Sequence, residues 1–205
     1  MKENPYPGKF IVFEGIDGSG KSTQTALLAD FMKKTLGQKV YETSEPTASM
    51  IGGLIRSQIA GDWKSSNECL QLLFSADRLY HLEKEILPML KDGIHVICDR
   101  YFFSTVAYGG ATGGSKEWLL QMQDNIVLPD ITFLLRISVR VGIERIHANR
   151  HGIKLFDKED LLKRVAENYD SLARQFKDAT VILDGEQPSG QISAAVQQIV
   201  RERIL

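Results

Sequence analysis

Residues 15–22 read Gly-Ile-Asp-Gly-Ser-Gly-Lys-Ser, a complete G-x-x-x-x-G-K-[ST] loop. The apolar run Phe10-Ile11-Val12-Phe13 before it predicts a buried strand, and Ser22-Thr23-Gln24-Thr25-Ala26-Leu27-Leu28-Ala29 opens a helix after it. Gly15, Gly18 and Gly20 permit backbone conformations closed to residues with side chains. Successive N–H groups can then point inward at phosphate oxygens, helped by the positive end of the helix. Lys21 would reach the β- and γ-phosphates, and Ser22 would offer its hydroxyl to Mg²⁺. With Ile16, Asp17, Ser19 and Thr23, these residues make up the expected nucleotide-binding set. A glycine-rich turn with a surface lysine is the plainer alternative, and strand, loop and helix in register argue against it. A chain of this kind is expected to bind a nucleoside triphosphate.

At 205 residues the chain can bury one substantial core, and no Pro/Gly/Ser-rich linker divides it, so one domain over 1–205 is expected. The net charge of −1, with both signs spread throughout, suggests neither a nucleic-acid groove nor a polybasic membrane patch. Cys69 and Cys98 lie in apolar surroundings without metal-ligand spacing, the expectation for two buried thiols in a reducing compartment. The segment Met1–Gly8 lacks an apolar signal core, and no apolar run has the length of a membrane span. A cytoplasmic location is the expectation.

Apolar runs of strand length recur at 10–14, 39–43, 95–98, 131–135 and 180–183. Stretches with helical periodicity at 22–36, 67–91, 139–150, 157–177 and 189–203 separate them. This alternation predicts an α/β fold of three layers, a five-stranded parallel sheet between helices. Ligands of such sheets gather at the carboxyl ends of the strands. The third strand runs into Asp99-Arg100-Tyr101 at that edge, where the acid can hold Mg²⁺ and the guanidinium can clamp phosphate. A structural ion pair at a strand end is the alternative. Asp17, a carboxylate inside the phosphate loop, is repelled by triphosphate unless it meets a cation or a donor, so it is assigned to the acceptor end or the metal.

Several blocks in order resemble the thymidylate kinase family. They are Phe13-Glu14 running through the loop to Thr23-Gln24, Glu45-Pro46-Thr47, Leu73-Phe74-Ser75-Ala76-Asp77-Arg78, Asp99-Arg100-Tyr101 with Ser104 and Ala107-Tyr108, and Leu128–Leu135. The resemblance implies a P-loop nucleoside monophosphate kinase fold and transfer of the γ-phosphoryl group of ATP to dTMP, giving dTDP and ADP for dTTP biosynthesis, with Mg²⁺. By the same resemblance, Phe74 stacks on the thymine ring and Arg78 hydrogen-bonds the base. Their spacing of four puts both on one helix face. The other reading makes Phe74 a core residue and Arg78 a solvated helix charge. Arg100 corresponds to the clamp on the acceptor phosphate, and Asp17 helps position the acceptor. Tyr101 and Tyr108 border sugar and base, Ser104 hydrogen-bonds near the base, and Pro46 borders the thymine methyl.

Two positions depart from the family pattern. Gly109 stands where glutamine usually follows the Ala-Tyr pair, and the run Gly109–Gly114 reads as a flexible loop. Ser44 stands where many members carry arginine, leaving Arg56 as the nearest substitute by sequence. The phosphate loop holds no arginine, so the basic segment at about 144–156 is the expected lid, with Arg145 and Arg150 closing over the triphosphate and Arg150 acting on the transferring group. A solvated helix end is the alternative for both. A kinase for another small acceptor and a GTP-dependent switch compete with this reading. The switch lacks its Asn-Lys-x-Asp and Asp-x-x-Gly signatures in position. Apolar residues on more than one face of 67–91 are compatible with the homodimer the family forms, against a wholly intramolecular core.

Overall fold

The computed structural model describes residues 1–149 and 159–204. Its five strands are β1 (Phe10–Glu14), β2 (Val40–Ser44), β3 (His95–Asp99), β4 (Ile131–Arg136) and β5 (Thr180–Asp184). They form one all-parallel sheet in the order β2-β3-β1-β4-β5. Phe13 is in register with Asp99, so the carboxyl ends of β1 and β3 finish within one residue of each other, while β4 runs two residues further, to Arg136. The turn after β1 therefore lies beside the turn after β3, and ligands that bind at strand ends meet both.

β1 is buried throughout, and its alternating side chains serve two cores. Ile11 and Phe13 join Leu28 and Met32 of α1 (Lys21–Lys34) and Val196 and Val200 of α9 (Ser189–Arg203) on one face of the sheet. Phe10 and Val12 face the second core, with Phe102, Phe103 and Val106 of α5 (Phe102–Ala111) and Leu162, Val165 and Tyr169 of α8 (Glu159–Gln175). Helices thus cover both faces, the three-layer arrangement that the alternation predicts.

The remaining helices are α2 (Met50–Ala60), α3 (Asn67–His81), α4 (Leu87–Lys91), α6 (Lys116–Gln121) and α7 (Val139–Asn149). The single helix expected over 67–91 is interrupted by a π turn at Leu82–Ile86, just before Pro88. Proline has no N–H for the turn behind it, and the wider turn absorbs that loss. Gly109 to Ala111 are helical rather than part of a loop, because α5 packs there against neighbours close enough to favour glycine. A Cβ at Gly109 would lie 2.8 Å from Leu119 Cδ2, and one at Gly110 would lie 3.1 Å from Asn168 Nδ2. Cys98 is buried as expected, but Cys69 is exposed on the first turn of α3. Among the described residues, no helix is long and apolar enough to cross a membrane.

Between β2 and α3 the chain is held by one buried carboxylate. Asp77 accepts hydrogen bonds from Thr47 N (2.7 Å), Thr47 Oγ1 (2.6 Å) and Ser49 Oγ (2.9 Å). Ser49 in turn caps α2 by accepting from Gly52 N. The turn is so tight that a Cβ at Gly52 would meet Thr47 O at 1.9 Å. Gly52→Ala is expected to cost about 1–3 kcal/mol through this clash, read as a fall in the urea midpoint at unchanged slope. An unchanged midpoint would show that the turn shifts freely.

Candidate functional site

One cavity of about 890 Å³ runs along the carboxyl edge of the sheet, from the loop after β1 to α3 and α5. At its donor end the loop has Gly15, Gly18 and Gly20 at φ 143°, 81° and 92°, a range that side chains disfavour. Gly15 and Gly18 are also pressed against other backbone, since a Cβ would lie 2.6 Å from Leu135 O and 2.7 Å from Gly142 O respectively. Gly20 begins α1 without a side-chain cap, and no acidic residue occupies the first turn. The N–H groups and positive end of α1 are thus directed into the cavity.

Lys21 is nearly buried, its Nζ donating to the carbonyls of Gly15 and Ile16, both at 3.0 Å. Burial and the nearby Arg100 guanidinium lower its pKa to about 8. Ser22 Oγ donates to Asp99 Oδ2 at 2.5 Å, bringing the predicted hydroxyl and carboxylate together from the start of α1 and the end of β3. The other oxygen, Asp99 Oδ1, is buried with no hydrogen-bond partner among the described residues. Arg145 Nη1 donates to Gly18 O (3.3 Å) and Gly185 O (3.0 Å), placing this cation at the wall of the donor end. Arg150 and most of the expected lid lie outside the described residues.

The middle of the cavity is organised by Arg100, the residue directly after β3. Its backbone is left-handed, φ 72°, an unusual state for a side-chain-bearing residue, and its N–H donates to Phe13 O at 2.9 Å. This turns the guanidinium across to the phosphate loop. Nη2 meets Asp17 Oδ1 at 2.5 Å, Nη1 meets Ser104 Oγ at 3.0 Å, and the group sits 5.5 Å from the ring centroid of Tyr108. Asp17 is therefore placed by a cation, as its position in the loop required.

Behind Arg100 stands Glu14, the last residue of β1, which is fully buried. It accepts from Tyr101 N (2.8 Å), Ser104 N (3.1 Å), Ser104 Oγ (2.7 Å) and Tyr169 OH (2.9 Å). Burial raises its pKa, and these hydrogen bonds oppose the rise. Glu14 is a supporting residue that inspection of the sequence does not single out. Its position at the strand end directly before the loop is the one sign of it.

At the acceptor end, Phe74, Pro46, Tyr108, Ser104 and Arg56 line the cavity. Arg56 Nη1 donates to Pro46 O at 3.2 Å, so an exposed cation does stand at the mouth near Ser44. Two expectations are corrected. Tyr101 does not border the cavity: its ring is fully buried against Phe10 and Phe102, and its hydroxyl donates to Val127 O at 3.0 Å. The left-handed Arg100 sends neighbouring side chains opposite ways, Arg100 to the loop and Tyr101 into the core. Arg78 is neither solvated nor part of the cavity lining. It is 1% exposed, with Nε and Nη2 on Glu45 Oε2 (2.9 and 2.7 Å) and Nη1 on Thr105 Oγ1 (3.0 Å) and Gln123 Oε1 (2.9 Å). Those bonds employ four of its five N–H groups and set it behind Glu45 and Thr105, which do line the wall. Ser104 is also less available than expected, because its proton goes to Glu14 and its oxygen accepts from Arg100.

A phosphate-cradling loop, a facing carboxylate and an arginine clamp opening onto an aromatic-walled chamber define a P-loop phosphotransferase with a second ligand at the acceptor end. The thymidylate kinase family profile matches residues 13–196. The chain is 44% identical to a protein named "Probable thymidylate kinase" from Thermococcus onnurineus, over 84% of this chain and 88% of the relative. It is 40% identical to one of the same name from Thermococcus kodakarensis (94% and 99%), and 41% identical to a "Thymidylate kinase" from Desulfotalea psychrophila (82% and 83%). The chain belongs to the thymidylate kinase family, ATP-dependent nucleoside monophosphate kinases that act on dTMP.

The lowered pKa of Lys21 has a directional consequence. Below about pH 8 the buried ammonium is charged in both folded and unfolded chains; between about 8 and its ordinary 10.5 only the unfolded chain holds the proton. Folding stability from this group therefore rises with pH across that window, while triphosphate binding, which needs the cation, weakens. kcat/KM for ATP is expected to fall as pH climbs through about 8, with kcat holding to higher pH because bound phosphate favours the ammonium. A profile flat to pH 9.5 would show that Lys21 keeps its proton.

Proposed function

We propose that this chain transfers the γ-phosphoryl group of Mg²⁺-bound ATP to the 5′-phosphate of dTMP, with the residue roles that follow. The observation that carries the reading is the left-handed Arg100, held by Asp17 and Ser104 between the phosphate loop and the chamber walled by Phe74. A guanidinium there can fasten an acceptor phosphate by two parallel hydrogen bonds, in line with a γ-phosphate on the loop. The acceptor phosphate is already an anion and needs no general base.

Lys21, the loop N–H groups and α1 hold the triphosphate. Ser22 and Asp99 fit a Mg²⁺ ion: a hydroxyl and a carboxylate with one buried, unpartnered oxygen among the described residues. Groups of three or more acidic, His or Cys ligands do not occur among the described residues, which suits an ion that takes its other ligands from phosphates and water. When bound, it neutralises charge on the β- and γ-phosphates. Arg145 lies near enough to the loop to contact donor oxygens, and Arg150 is assigned the transferring group by its place after α7. Thymine stacks on Phe74 with Pro46 beside its methyl, and Tyr108 borders the sugar.

We also propose a homodimer in the cytoplasm. Leu72, Leu79 and Tyr80 on α3 are 53%, 40% and 42% exposed, joined on the adjacent α2 by Leu54 at 47%. A helix pair whose outer face is this apolar suits burial against a second copy. Light scattering at micromolar concentration is expected to give twice the chain mass; a monomer mass removes the dimer.

The assignment is tested by coupled ADP release with Mg·ATP and dTMP, dUMP, dCMP, dGMP, AMP, UMP or thymidine. dTMP is expected to lead, and Arg100→Ala to lower kcat/KM for dTMP about 100-fold or more, since buried ion-paired contacts to phosphate are lost. A different leading acceptor would overturn the base assignment. Arg150→Ala is expected to lower kcat about 10³-fold with ATP affinity retained, and an unchanged kcat would remove it from the mechanism.

A further inference from the structure

The acceptor chamber contains a buried amide that none of the roles above uses. Gln71, on α3 one turn before Phe74, lines the cavity yet is only 1% exposed. Both its Nε2 and its Oε1 are buried with no hydrogen-bond partner among the described residues. Its neighbours explain its position. Gly109 on α5 faces it, and a Cβ there would lie 3.0 Å from Gln71 Cδ and 3.1 Å from Gln71 Cγ. The space a side chain at 109 would take is thus shared by Gln71 and Leu119, whose Cδ2 would lie 2.8 Å from that Cβ.

A donor and an acceptor left unmade in one buried amide are a standing cost, and leucine at this position would fill the same volume without it. Such an arrangement is understandable where a ligand completes the bonds. The ligand edge it matches offers one donor beside one acceptor in a plane, as the N3–H and C4=O of thymine do. The terminal torsion of glutamine is soft, so the amide can turn in place to meet that edge. Arg78, by contrast, has four of its five N–H groups committed to Glu45, Thr105 and Gln123.

We propose that Gln71 hydrogen-bonds the N3–H/O4 edge of the acceptor base. It would supply from α3 the amide that family members usually carry at the position of Gly109 on α5. This rests on the assignment of dTMP as acceptor. The bond from Oε1 to N3–H carries the test, because a methyl group on N3 abolishes it without altering the ring stack.

Wild type, Gln71→Leu and Gln71→Met are compared for KM and kcat with dTMP and with N3-methyl-dTMP, alongside the melting temperature of each free protein. Wild type is expected to disfavour the N3-methyl substrate at least tenfold in kcat/KM. In either variant, KM for dTMP rises about tenfold or more and the N3-methyl penalty shrinks toward none, while the free protein melts no lower than wild type. An N3-methyl penalty of the same size in wild type and in a variant that melts normally overturns the proposal, as does a variant with wild-type KM for dTMP. Should wild type fail to phosphorylate dTMP at all, the acceptor assignment falls first, which separates that failure from one confined to Gln71.

Discussion

The buried carboxylate of Glu14 is the constraint around which the site is arranged. A carboxylate at the end of a central strand, without exposure, is costly unless its lone pairs are met. Four donors meet them, and they come from the start of α5 and from α8. Because Tyr101 opens α5 with no side-chain cap of its own, Glu14 also supplies the anion that the first turn of that helix lacks. The same bonds fix Ser104, and Ser104 fixes one arm of Arg100. Strand end, helix start and phosphate clamp are therefore one hydrogen-bonded unit, in which removing the central acceptor leaves several buried donors unsatisfied.

Strain is concentrated where that unit meets the loop. Arg100 is the sole non-glycine residue with positive φ among the described residues. The conformation is held by its N–H to Phe13 and its guanidinium to Asp17, that is, by the strand before the loop and by the loop itself. Electrostatics and backbone geometry thus specify the same position, and each compensates for what the other costs.

Much of this was legible in the residues. The five strands stand within one residue of the apolar runs; the central β1, β3 and β4 are nearly continuous in burial, and even the edge strand β2, with its exposed Glu42 and Ser44, is displaced by only one position. Three helices escaped. α2 carries its own start and stop in Ser49 and in Gly61 at φ 92°, signals that capping rules read directly. α5 escaped for a deeper reason: Gly109 and Gly110 look like hinge residues, whereas here their small size permits helices to approach. α6 is short, and its Ser115 cap is a weak signal by itself. In the site, Lys21, Ser22, Asp99, Asp17 and Arg100 come together at the carboxyl edge of the sheet, because spacing from strand ends decides where they go. Tyr101 and Arg78 turn away from the cavity wall, since which way a side chain turns depends on a left-handed residue and on distant partners such as Glu45 and Gln123 that periodicity cannot reveal.

The cavity draws on two parts of the fold. β1, its loop and α1 make the donor half, while α3 and α5 wall the acceptor half. The Asp17–Arg100 pair bridges them. Phe74, on α3, takes no part in the hydrogen bonds that hold Lys21 and Arg100, so a change of that ring acts on the acceptor end of the cavity while the bonds at the loop stay as they are.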